Sequence, residues 1–65
     1  MHLRFLWKTD QSNTGQCPAL YEVEGGYVVQ GRQLDTDARA QLQDLADDED
    51  AIWVPADVIE RIRER

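Results

Sequence analysis

The chain is short of several residue types, and each shortage excludes something. It has a single cysteine, Cys17, so no disulfide can close within one copy. A lone cysteine fits a reducing compartment, and the cytoplasm is the expected location. His2 is the one histidine, so no cluster of His and Cys can build a zinc site, and no metal or other cofactor is expected. Basic side chains number 7 against 13 acidic ones. The net charge of −6 repels a phosphate backbone, which makes nucleic acid a poor partner and a basic protein surface a better one. No apolar run approaches the roughly 20 residues of a membrane span. The opening MHLRFLWKTD reads as too short and too charged for a signal peptide.

What is present suits a small folded unit. The 65 residues are 42% hydrophobic and 31% charged, which reads as one globular domain over 1–65. A domain of this size buries only about 60% of the surface its unfolded chain exposes, so a thin core is expected. Such domains commonly lean on a second subunit, a metal or disulfides.

Residues 3–8, LRFLWK, place Leu3, Phe5 and Trp7 on one face of a strand, although Leu6 interrupts the alternation. Residues 9–17 are polar and read as a loop. PALYEVEGGYVVQGRQL, residues 18–34, reads as a hairpin. Tyr21, Val23, Tyr27, Val28 and Val29 favour pleated backbone, and Gly25-Gly26 suits a two-residue primed turn closed by Glu24 and Tyr27. Gly31 marks a bulge or a close backbone approach. Residues 35–46 turn to helical period. Ala38, Leu42, Leu45 and Ala46 form the stripe, and Asp35 or Thr36 the cap. AIWV, residues 51–54, is a short strand ended by Pro55. PADVIERIRER follows as a final helix with Val58, Ile59 and Ile62 inward and an Asp57–Arg61 pair at i, i+4. The expected fold is a small α+β sandwich of order β-β-β-α-β-α. Its sheet is mostly antiparallel, with about four strands and both helices on one face.

Candidate chemistry is sparse. Gly25-Gly26 joins two strands and is followed by no Lys-Ser or Lys-Thr, so it is a turn and not a phosphate loop. DLADDEDAIW has the acids of a calcium loop but lacks its glycine and its distal glutamate. RIRER interleaves arginines with glutamate and reads as a solvated helix end. Cys17 would need a base to act as a nucleophile, and His2 is the one imidazole available. Trp7, Tyr21 and Tyr27 are expected in the core. Trp53 points away from Ile52 and Val54, so helices covering those two leave it on an open sheet face, where tryptophan is an anchor for a partner.

The segments Trp7 to Asp10, Cys17 to Tyr21 (CPALY), Tyr27 to Gly31 (YVVQG) and Val54-Pro55 resemble a group of small actinobacterial proteins of unknown function. These are typically encoded beside helix-turn-helix regulators of the Xre type. The resemblance implies a neighbouring regulator and carries no catalytic residue across. The expectation that follows is a non-enzymatic interaction module for a protein partner, with a helix-turn-helix regulator as the candidate. Trp53, Asp44, Asp47, Asp48, Glu49 and Asp50 are the contact residues. Homodimerisation is a compatible expectation. A small homodimeric ligand-binding domain or enzyme using Cys17 is the alternative.

Overall fold

A computed structural model describes residues 1–10 and 17–64, so the loop expected between them lies largely outside the described residues. The fold is α+β. Strands β1 (Arg4–Lys8), β2 (Ala19–Val23) and β3 (Gly26–Gln30) form an antiparallel sheet in the order β1-β2-β3. The two-residue strands β4 (Arg32–Gln33) and β5 (Ile52–Trp53) pair antiparallel as a second, separate sheet. Helix α1 spans Thr36–Ala40 and helix α2 spans Ala56–Glu60, the latter running into a 3-10 turn over Arg61–Glu64.

The hairpin forms, one residue earlier than expected. Val23 pairs with Gly26, so Glu24 and Gly25 are the loop, and Gly25 alone takes a positive φ of 84°. A primed type I turn needs positive φ at both positions; a single positive φ at the second matches a type II turn. Glycine is needed there because any side chain would be strained. Tyr27 consequently faces Glu22 and not Glu24. The slip is an even one, so every side chain stays on its expected face.

The expectation that Leu3, Phe5 and Trp7 share a face is corrected at Leu6. Phe5 pairs with Tyr21 and Trp7 with Leu20, and Leu6 is the extra residue of a bulge. Neighbouring β2 residues point to opposite faces, so Phe5 and Trp7 do too. Trp7 joins Leu20 and Val29 on the side that α2 covers, where its indole N–H donates to Val58 O at 2.8 Å. Phe5, Tyr21 and Val28 occupy the other side, with Phe5 edge-on to Tyr21 at 5.8 Å and 57% exposed.

The core is as thin as the length implies. Among the described residues, Ala19, Leu20 and Val58 are the buried apolar core, and Pro55 is buried as well. Tyr27 is half exposed and Tyr21 only half buried, so the tyrosines border the core and do not fill it. The accessible surface is 5426 Å². A compact monomer of this mass exposes about 4,200 Å².

Both helices are shorter than their stripes suggested. Asp35 caps α1, its carboxylate accepting from Ala38 N–H at 2.8 Å. The helix then stops at Ala40, and the last turn tightens through Gln41 N–H to Ala38 O and Leu42 N–H to Arg39 O. Continuing would set Asp44 against the negative end of the dipole, with no apolar surface to receive Leu45. Instead Asp44 takes a left-handed φ of 56° and Leu45 is exposed. The stripe Ala38–Leu42–Leu45–Ala46 is therefore not a helix face, and α1 buries no residue. In α2, Val58 is fully buried and Ile62 half buried, while Ile59 is 45% exposed. Two inward positions at i, i+4 suffice for so short a helix.

Candidate interaction surface

Gly31 positions the second sheet. A Cβ built there would collide with Trp53 O and lie 2.6 Å from Val54 Cγ1, so only glycine lets β5 come this close. The close approach expected at Gly31 is present. It lets Arg32 pair directly with Trp53, and the guanidinium sits 5.0 Å from the centroid of the indole. An exposed cation–π contact of this kind contributes about 0.5–1 kcal/mol. The contact leaves Trp53 48% exposed. Ile52, next to it, is also exposed.

The acidic residues lie between α1 and β5, all of them exposed. Asp50 pairs with Arg39 of α1 and accepts from Ala51 N–H at 2.8 Å. That backbone hydrogen bond, then the arginine, holds its carboxyl below the usual carboxylate range. Glu49 closes a turn: its carboxylate accepts from Ala46 N–H at 2.9 Å, and its own N–H donates to Ala46 O at 3.0 Å. Asp44, Asp47 and Asp48 are exposed carboxylates on the same segment. The structure thus sets Trp53 at one end of an acidic segment anchored through Asp50 and Arg39. Arg32 and Arg39 are the positioning residues that the sequence does not announce. Arg32 faces Trp53 only through a pairing of two-residue strands, which leave no periodicity to read.

Asp57 was expected to pair with Arg61. Its main partners lie elsewhere. Thr9 Oγ1 donates to Asp57 Oδ1 at 2.8 Å, and Asp10 N–H donates to Oδ2 at 2.9 Å. The Asp10 N–H is the largest cause that lowers the Asp57 pKa, and the charge of Arg61 is a minor one. The Arg61 guanidinium lies 5.2 Å from the centroid of the Trp7 ring.

Cys17 and His2 sit at opposite ends of the β1–β2 ribbon. Cys17 adjoins the end where Thr9 N–H donates to Pro18 O at 2.8 Å. His2 borders an open depression of about 410 Å³ at the hairpin end, with Arg4, Glu22 and Glu24. The register places about six residues of strand between the two ends, on the order of 20 Å, so the imidazole is not a base for this thiol. Among the described residues, no group of three or more His, Cys, Asp or Glu side chains converges to hold a metal ion, and no helix is long and apolar enough to cross a membrane. In comparisons with known proteins, no family model, no curated protein and no solved structure matches the chain.

Proposed function

We propose that the protein is a non-enzymatic interaction module that docks a basic protein partner through Trp53 and the acidic segment beside it. The observation that carries this reading is an exposed tryptophan, with the Arg32 guanidinium over its ring, next to an exposed acidic segment. An aromatic anchor has only two side-chain torsions to lose on binding, which is one reason such residues dominate interfaces. Carboxylates around it steer a positively charged surface and speed encounter at low salt. Asp44, Asp47 and Asp48 supply that field; Glu49 and Asp50 also shape the segment. The family resemblance makes a helix-turn-helix regulator the first partner to test, since such a protein carries a basic face for DNA.

The experiment is co-purification of the full chain with a helix-turn-helix regulator of the Xre type taken from its genomic neighbourhood, followed by titration at several salt concentrations. The expected result is a complex that weakens as salt rises and weakens about 30-fold or more with Trp53→Ala, the scale of a hot-spot residue. Replacing Asp44, Asp47 and Asp48 together with asparagine should slow association and flatten the salt dependence. Absence of a complex at tens of micromolar protein in low salt rejects this partner. A complex indifferent to Trp53→Ala rejects this surface.

A further inference from the structure

Among the described residues, β3 is an edge of the three-stranded sheet. Thr9 N–H donates to Pro18 O, so residues 18, 20 and 22 of the central ribbon turn their backbone groups toward β1. Residues 19, 21 and 23 therefore turn theirs toward β3, where they meet Gln30, Val28 and Gly26. That leaves the N–H and C=O groups of Tyr27 and Val29 pointing outward. Among the described residues, β3 has no strand on that side. The opposite edge is guarded. β1 is bulged at Leu6 and carries Arg4 and Lys8, two devices that discourage edge pairing. β3 (GYVVQ) has no charge, no proline and no bulge.

We propose that two copies of this chain join by antiparallel β3–β3 pairing about a two-fold axis at Val28, making one six-stranded sheet. In this register Tyr27 of each copy stands opposite Val29 of the other. All the outward groups are then satisfied by four hydrogen bonds, an outcome that shifting the axis to Tyr27 or Val29 does not give. The open face of the sheet gains the most. Phe5, Tyr21 and Val28 lie in one row across the three strands. The axis joins two such rows into a continuous ladder, Phe5–Tyr21–Val28–Val28–Tyr21–Phe5. Tyr27, 49% exposed in one copy, covers Val29 of the other on the opposite face. Two copies with a net charge of −6 each thereby meet along a strand that carries no charge. This surface is distinct from Trp53 and the acidic segment, and the two readings fail independently.

The test is light scattering and sedimentation of the full chain from micromolar to millimolar concentration. The wild type should dimerise, and Val28→Lys should be monomeric with an unchanged far-UV spectrum, because two ammonium groups would face each other at the axis. A second measurement does not depend on a loss. In a Cys17→Ser background, Val28→Cys places two sulfurs at a non-hydrogen-bonded pair with Cα atoms about 4.5 Å apart, within disulfide range. It should cross-link under a mild oxidant. Gly26→Cys, about 13 Å from its mate in this register, should not. A monomer at millimolar concentration overturns the proposal. So does a dimer that survives Val28→Lys, or a Val28→Cys chain that does not cross-link.

Discussion

Thr9 and Asp57 stand 48 positions apart in the chain, yet the Thr9 hydroxyl donates to both oxygens of the Asp57 carboxylate, at 2.8 and 3.1 Å. The pair ties the end of β1 to the first turn of α2. Among the described residues Thr9 is the one buried polar residue, 3% exposed, and its backbone N–H is satisfied by Pro18 O. With the indole of Trp7 bonded to Val58 O, β1 holds α2 at two points. A helix of five residues has little stability of its own, so these ties and the burial of Val58 keep it in place.

Thr9→Val keeps the shape and removes the donor. A net loss of about 1 kcal/mol is expected, read as a fall in Tm of about 4–8 °C for a domain of this size. Asp57→Ala should lower Tm further, because it also strands the Asp10 N–H. Thermal unfolding of the two single variants and the double variant measures the coupling; additive losses would show that the two side chains do not act together.

Acid should release the same tie. The Asp10 N–H, with help from Thr9, lowers the folded pKa of Asp57, and Asp50 is lowered in the same direction by Ala51 N–H and Arg39. A depressed folded pKa contributes stability that is complete above the unfolded value near 3.9 and is lost as pH falls through the lower folded value. Stability should therefore be level from pH 7 to about 5 and decline below about 4. Asp57→Asn should flatten that decline in urea titrations run across this range.

The small core makes single truncations severe. Leu20 is 1% exposed, and Leu20→Ala should cost about 2–5 kcal/mol. A chain of 65 residues has roughly 3–10 kcal/mol in total. Loss of cooperative unfolding at 37 °C is the expected outcome. Ile59→Ala, on the exposed side of the same helix that packs near it, should shift Tm little.

The glycines should rank. At Gly31 an added methyl meets Trp53 O, a backbone atom, so Gly31→Ala should separate β4 from β5 and change the fluorescence of Trp53. At Gly25 the obstacle is φ alone, and alanine should cost about 1 kcal/mol. Gly26 has nothing within 4 Å of a Cβ and no positive φ, so Gly26→Ala should be nearly silent. Comparing the unfolding of the three variants tests the order.

Local chemistry alone determined much of this protein. The glycine pair selected a hairpin, Asp35 capped a helix, Pro55 ended a strand and began α2, and the order β-β-β-α-β-α follows from period and punctuation. Those features depend on neighbours a few residues away, and the sequence displays such neighbours directly; the two-residue strand β4, which adds a fourth strand before α1, does not show in that order. Trp53 and the acidic residues were legible as exposed candidates for the same reason.

The tertiary structure decided the rest. Leu6 interrupts an alternation, but only pairing with β2 turned that interruption into a bulge sending Phe5 and Trp7 to opposite faces. The stripe at Leu42 and Leu45 had helical spacing, yet no apolar surface lay opposite, and the chain left the helix at Ala40. Arg32 reached Trp53, and Thr9 reached Asp57, across spans that no local pattern encodes. Burial and long-range hydrogen bonds are properties of two distant segments at once, so neither segment read singly could contain them.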